Sequence, residues 1–515
     1  MRADRSNPGT ALGFLATVLA AGCAPGRAPA AETVRAVTAA ALRFAPVTHG
    51  VAAGDVTSTS AVIWSRSDRY AVMHVRVDEG DRSTTGSVWV TAARDYTGKI
   101  SIAGLSADTP YRYTVWFTIG ESSEVPPANV TATGFFRTAP LATANRPLSF
   151  GWSGDLGGLN VCRDAKYGYP VFDHIDGRNL DFFIGLGDMI YGDQACKPIG
   201  LYGNAQIEAP VAESTTVRNY WAHWKYNRED PGLRRLLAST GYYGVWDDHE
   251  VMNDFGPRDD WHRFPPYVIG ASLLPLGRQA LLDYSPISEN ADTPNRLYRS
   301  FRWGRGAELF LLDTRSYRDR NDEPDLAEHP KTLLGAEQRN WLEAAVPRSD
   351  ATWKIVVSSV PLSIPTGAGG AAGHDGWANF DENVGFEREL AGIWSSFRDS
   401  RVKNLVFVTT DVHFATGFRY RPFPESPEFT VYEFTAGPLN AMLLPTHSVD
   451  DSFHPERLFF YGPEGPIRSF EDAVHWMNWG RVSVDQAGTL SVAIIDGQGE
   501  TVVTQMVRPE GTSGG

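Results

Sequence analysis

The stretch FFIGLGDMIYGD, residues 182 to 193, decides the fold. An unbroken apolar run stops at Gly187, and Asp188 follows at once, with Tyr191 three residues later and Asp193 two beyond that. A short apolar run bounded by glycine reads as a strand covered on both faces, as in a parallel sheet flanked by helices. Open α/β sheets bind their ligands outside the carboxyl ends of their strands, and this strand ends there with a carboxylate and a phenol.

The same ending recurs along the chain. LSFGWSGD (148–155) ends at Asp155, and GYYGVWDDHE (241–250) runs into Asp247, Asp248, His249 and Glu250. ELFLLDTR (308–315) ends at Asp313 and Arg315, and NLVFVTTDVH (404–413) at Asp411 and His413. One aspartate after a strand is ordinarily a cap or a turn residue. Five strand ends with acids, two of them with a histidine within two residues, ask for another reason. Acids gathered on one rim repel one another unless cations hold them. The donors divide by type. The Tyr191 phenolate and the His413 imidazole suit a ferric-type transition metal. Asp248 and Asp411 offer only oxygen and suit a harder cation such as calcium or magnesium. Asp188 lies between the two sets and bridges them in this reading. Two such cations clamp a phosphoryl oxygen and ionise a bridging water.

The chain has 515 residues, 42% hydrophobic and 21% charged, which is globular composition long enough for more than one domain. Its formal charge of -14 argues against a nucleic-acid partner held through phosphates. Residues 1–31 read as an export signal: Arg2 and Arg5, then the apolar core ALGFLATVLAAG, then APA ending at Ala30. That core is too short to span a bilayer. Cys23, in LAAGC, resembles a lipoprotein signal with its leucine one place too far upstream, so a lipid anchor through Cys23 stands as the alternative to a cleaved signal. The remaining cysteines, Cys162 and Cys196, form either a disulfide in an exported protein or two buried thiols.

Residues 45–139 are a series of short alternating segments with turns every ten residues or so, which predicts a small all-β sandwich. Within it GLSADTPYRYTVWF (104–117) resembles the signature of fibronectin type III domains, in which a tyrosine closes a corner before a late strand. After the linker APLATANRP the pattern changes. Across 146–506 apolar runs alternate with amphipathic segments such as LGAEQRNWLEAAV, predicting an α/β domain. Residues 255–300 and 415–480, rich in Pro, Gly and aromatics, read as long loops over the site. Residues 507–515 read as a disordered tail.

The blocks SGD, LGDMIYGD, VWDDHEVMND, LDTRSYRD and TTDVH together resemble those of the PhoD-like alkaline phosphatases and phosphodiesterases, in the calcineurin-like metallophosphoesterase superfamily. HGVAAGDVTSTSAVIWSR (49–66) is similar to the start of that family's β-sandwich domain. The resemblance implies a layered β-sheet sandwich flanked by helices and preceded by the small fibronectin III-like domain. It implies that Asp155, Tyr191 and His413 hold the first metal, Asp248 and Asp411 the second, and Asp188 both. His249 then contacts phosphate and protonates the leaving group. Fe(III) is implied at the tyrosinate site and Ca(II) at the all-oxygen site, with Mg, Mn or Zn as the alternatives. Two departures bear on this. Gly154–Asp155 stands where some relatives carry a thiolate ligand to iron, and VVSSVPLS (356–363) lacks the histidine that the superfamily's fourth block gives to the second metal.

Arg315 is expected either to hold a phosphate oxygen or to pair with Asp313. Asn253 is expected as a substrate contact, and it and Asp254 otherwise lie just behind the site or form a turn. Arg163, His374, His475 and Asn478 are weighed as pocket residues against structural or surface roles. The function expected is that of an exported phosphomonoesterase whose metal-bound hydroxide attacks phosphorus in line. A phosphodiesterase or phospholipase D-like hydrolase with the same centre is the alternative, and a calcium-stabilised surface-binding protein the remote one.

Overall fold

The apolar runs become the centres of two sheets. Leu148–Ser153, Phe182–Leu186, Gly241–Val245 and Val51–Gly54 pair in parallel, in that order. Asn478–Val484, Leu490–Asp496 and Thr501–Val507 extend one side antiparallel, and Ser60–Arg66 and Thr97–Ala103 extend the other, making nine strands. A seven-stranded sheet has the parallel centre Ala307–Leu311, Trp353–Val357, Leu405–Thr409 and Val431–Thr435. Arg299–Trp303 lies antiparallel at one edge, and Ala415–Tyr420 then Pro455–Tyr461 at the other.

This is a computed structural model. It describes residues 43–510, apart from 123–125, 210, 212, 260–267, 367–374, 379–384 and 446–447. The export segment with Cys23, His374 and residues 511–515 lie outside the described residues.

Why the central strands show no alternation is plain from their two faces. Phe182, Ile184 and Leu186 turn into a core shared with Leu309, Ile355, Val357 and Val406 of the second sheet. Phe183 turns the other way, into a cluster with Trp221, Trp224 and Leu236 of the helices Val217–Arg228 and Pro231–Ser239. On the far side of the second sheet, Phe310, Val356 and Phe407 share a cluster with Leu342, Leu390 and Trp394 of the helices Gly335–Arg348 and Glu387–Asp399. The layers run helix, sheet, sheet, helix. Each fully buried side chain of this size contributes about 1.5–3 kcal/mol, so covering both faces makes an apolar residue favourable at every position.

The segment 45–139 is all-β, and its strands divide. Phe44–Ala45, Pro110–Thr118, Ala71–Glu79, Arg82–Val90 and Ala132–Arg137 form a five-stranded sheet, while three others complete the nine-stranded one. Tyr111 closes its corner by accepting the Ser106 N–H at 2.7 Å. The stretches expected as loops are more ordered than their composition suggests. Residues 255–300 contain the helix Gly270–Tyr284, and 415–480 contain four strands and the helix Phe470–Trp476. The strand Pro455–Tyr461 shows why: it lies at a sheet edge, with Glu456 and Arg457 exposed and the rest half-buried, and carries no apolar period. At the other end of the chain, Val507 is buried and pairs with Leu490, so order continues past the start of the expected tail.

Candidate metal centre

The strand ends turn sharply. Asp155, Asp188, Asp411 and His413 have φ of 61°, 52°, 79° and 57°. The left-handed backbone ends each strand and redirects the side chain. It costs about 1–2 kcal/mol at a residue such as His413, which the surrounding structure must offset. Gly187, with φ 85°, precedes Asp188, and a Cβ there would lie 2.5 Å from the Asp247 Cβ. Glycine therefore lets the ends of the Phe182–Leu186 and Gly241–Val245 strands close on one another.

One donor group forms around His413. Its Nε2 lies 3.1 Å from the Tyr191 hydroxyl and 3.4 Å from Asp155 Oδ1. Its Nδ1–H donates to the Met442 carbonyl, which leaves the Nε2 lone pair facing the phenol and the carboxylate. Thr410 donates to Asp155 Oδ2 at 2.7 Å, while the buried Oδ1 has no hydrogen-bond partner among the described residues. Gly158 leaves space for the phenol: a Cβ there would come 2.1 Å from Tyr191 Cζ.

A second group lies beside it. Carboxylate oxygens of Asp188, Asp247, Asp248 and Asp411 lie within 4.8 Å of one another, and a His249 ring nitrogen lies within the same distance of Asp188 and Asp248. Among the described residues Asp247 Oδ2 and Asp411 Oδ2 have no hydrogen-bond donor. Burial, and then the charges of the neighbouring acids, hold Asp188 and Asp411 far above the usual carboxylate range, and raise the Tyr191 phenol likewise. Unpartnered buried oxygens among mutually repelling acids fit cations, and a phenol–imidazole–carboxylate set beside an all-oxygen set fits two different ones.

The residues behind these donors had little signal in the sequence. Glu250 accepts the N–H groups of Asp188 (3.0 Å), Met189 (2.8 Å) and Asp247 (2.8 Å), so one buried carboxylate joins two strand ends. Ser359, in the block that lacks a histidine, donates to Asp247 Oδ1 at 2.7 Å. Arg315 does not face an open pocket, contrary to the phosphate-binding expectation. It is fully buried, with Nε 2.6 Å from Asp247 and both Nη atoms 2.6 Å from Asp375. A guanidinium so engaged has little donor capacity left for substrate. Nor does Arg315 bond to the Asp313 carboxylate through its guanidinium. Asp313 instead accepts the Trp246 indole N–H at 2.8 Å and the backbone N–H groups of Arg315 and Ser316, a structural role among the five strand ends. Asp375 comes from a Gly-rich stretch that gave no hint of it.

His249 is held by Asp193, whose Oδ1 lies 2.7 Å from Nδ1, and its ring lies 4.1 Å, centroid to centroid, from Tyr191. Burial disfavours a charged ring, yet Asp193 and Asp248 outweigh it and lift the imidazole to about 10. Asn253 is exposed and meets this pair through its backbone, its N–H donating to Asp193 Oδ2 at 3.0 Å. The Asp254 N–H donates to Asp248 Oδ2 at 2.5 Å. Other weighed residues hold loops: Arg163 pairs with Glu229, His475 with Asp496, and the Asn478 side chain bonds both backbone groups of Gly437. A disulfide joins Cys162 to Cys196, with Cα atoms 5.9 Å apart, and ties the loop after Gly158 to the loop after Asp193.

Two helix-covered sheets thus gather acids from parallel strand ends into one buried group. Solved structures share this fold: that of PhoD is similar at a TM-score of 0.69 and 20% identity over 90% of this chain and 89% of that one. The purple acid phosphatase PPD1 from yellow lupin (Lupinus luteus) seeds is similar at 0.59 and 12% identity, over 90% of this chain and 74% of that one. Residues 158–479 match the PhoD-like phosphatase family, residues 32–140 match the N-terminal domain of PhoD-like phosphatases, and the chain belongs to that family. It is 27% identical over 403 residues to alkaline phosphatase D of Bacillus subtilis (strain 168), a match covering 72% of this chain and 64% of that relative's length.

Proposed function

We propose that the chain is an exported, metal-dependent phosphoric-ester hydrolase acting on phosphomonoesters. The observation that carries this is the meeting of the Asp155–Tyr191–His413 group with Asp188, Asp248 and Asp411 beside the His249–Asp193 pair. The likeness to alkaline phosphatase D supports it. In this reading Asp155, Tyr191 and His413 would hold Fe(III), Asp248 and Asp411 would hold Ca(II), and Asp188 would serve both. Mg, Mn or Zn are the alternative occupants. Cations there would supply positive charge against the phosphoryl oxygens and lower the pKa of a water.

The rest is the work of side chains. Asp193 binds Nδ1 of His249, which leaves Nε2 for the ester oxygen that departs. Water forms the new P–O bond. As the ester P–O bond breaks, its electron pair stays on the leaving oxygen and His249 gives that oxygen a proton. Asp193 orients the ring and steadies its positive charge. Export is supported by the signal-like first 31 residues and by the disulfide, which belongs to an oxidising compartment. Attachment through a lipid on Cys23 is the alternative to release.

The test uses p-nitrophenyl phosphate and bis(p-nitrophenyl) phosphate, which share a leaving group. Faster turnover of the monoester is expected. Faster turnover of the diester would move the enzyme to the phosphodiesterases, including the phospholipase D-like ones, and hydrolysis of neither by the metal-loaded protein would overturn the proposal. Iron has its own readout. Phenolate on Fe(III) absorbs in the visible, and Tyr191→Phe is expected to abolish that band. A colourless, active protein without iron would leave a hydrolase with another metal.

A further inference from the structure

At the opposite ends of the same strands lies a second cleft, of about 820 Å³. It opens where the starts of Leu148–Ser153 and Phe182–Leu186 meet the strands Pro110–Thr118 and Ala132–Arg137. At roughly 3.3 Å per residue, the length of a central strand puts it about 20 Å from the metal centre. No small ester reaches both.

Its charge is out of keeping with the chain. Four arginines, Arg112, Arg137, Arg146 and Arg178, line it against two carboxylates, Asp181 and Asp485, a surplus of positive charge in a protein of formal charge -14. Two of the four are already engaged. Arg137 and Arg146 both pair with Asp108, and Arg146 also with Asp181. Arg112 and Arg178 are exposed and form no carboxylate ion pair among the described residues, although Asp78 is the cross-strand neighbour of Arg112. They flank one ring: the Arg178 guanidinium lies 5.0 Å from the Phe135 ring centroid, and Arg112 is the cross-strand neighbour of Phe135. A lone unpaired arginine on a surface is ordinary. Two of them beside one aromatic ring, lining one cleft, offer planar donors suited to an oxyanion with an apolar face beside it.

We infer that this cleft is a second, non-catalytic anion site. It takes a dianionic group of the phosphate or phosphonate kind carried on a flat apolar ring, with the oxygens on Arg112 and Arg178 and the ring on Phe135. The inference stands on this cleft alone and is independent of the chemistry assigned to the metal centre.

Equilibrium dialysis of the metal-loaded protein with phenylphosphonate, which cannot be hydrolysed, tests it. At low ionic strength the Arg112→Ala/Arg178→Ala protein is expected to bind one equivalent fewer than the parent. Its turnover of p-nitrophenyl phosphate and its melting temperature should be unchanged. Arg112→Lys/Arg178→Lys should recover part of the binding, because charge remains but the planar fork is lost. The equivalent in question should also disappear in 1 M salt, where the screening length falls to about 3 Å. Equal stoichiometry in the parent and the double alanine protein would overturn the inference, as would a fall in turnover that tracks the lost equivalent.

Discussion

His249 occupies a position that a metal ligand alone would not need. Its backbone N–H donates to Asp188 Oδ1 (3.1 Å) and Asp248 Oδ1 (2.9 Å), and its ring is tied to Asp193. In the proposed mechanism backbone and side chain have separate duties, one orienting the carboxylates of Asp188 and Asp248 and one handling a proton. His249→Ala keeps the first and deletes the second. It should leave metal content intact and slow hydrolysis by about 10²–10⁴-fold, the usual worth of a general acid. The loss should shrink as the leaving group improves, because a good leaving group needs no proton. An equal loss across leaving groups would assign His249 to phosphate binding instead. At this scale the sequence was informative where a residue follows a strand directly, as Asp155, Asp188, Asp248, Asp411 and His413 do. It was silent on Asp375, because nothing local connects that loop to Arg315, 60 residues away.

Glu250 works at the scale of elements. Three backbone N–H groups from two strand ends point at one buried carboxylate, and this sets the separation of Asp188 from Asp247 and Asp248. Glu250→Gln places an amide N–H₂ against at least one of those donors. With charged hydrogen bonds worth roughly 1.5–3 kcal/mol each, the variant should lose about 3 kcal/mol in urea denaturation at pH 8. It should also retain metal less well on dialysis. Unchanged stability and metal retention would exclude the clamp.

A second buried acid, Glu433 in the strand Val431–Thr435, joins neighbouring segments through Leu362 N–H, Thr409 Oγ1 and the Tyr420 hydroxyl. Burial lifts it to about 7, against the pull of those hydrogen bonds. Because its folded pKa lies above the unfolded value near 4.5, the folded state binds the proton more tightly. This contribution to stability is therefore fully present below about pH 4.5, falls as pH rises to about 7, and is flat above. Glu433→Gln removes the titration, so the melting temperature of the variant relative to the parent should rise across that window. A constant difference from pH 4.5 to 7 would contradict the placement of Glu433. The central parallel strands were readable because both faces are covered and the apolar run is continuous. The antiparallel strands at 299–303, 415–420 and 455–461 were not, because a strand in the antiparallel margin of a sheet is defined by its partners as much as by its own pattern.

Across the whole molecule the first donor group joins the two sheets. Tyr191 and Asp155 follow strands of the nine-stranded sheet, while His413 follows a strand of the seven-stranded one. The Asp188–Asp411 contact spans the same seam. Metal binding should therefore stabilise the packing of one sheet on the other as well as the site. The sharing of strands between the N-terminal segment and the nine-stranded sheet was hidden from the sequence, since sheet order across long separations leaves no local mark. Asp188 lies at the centre of this arrangement, and it tests the central claim most directly. Bound metal per chain should be measured by mass spectrometry together with p-nitrophenyl phosphate turnover, for the parent and for Asp188→Ala. Two metals per parent chain are predicted, with fewer in the variant and turnover abolished, because Asp188 would serve both cations, which would repel each other without its charge. A full metal complement with near-normal turnover in Asp188→Ala would contradict the account.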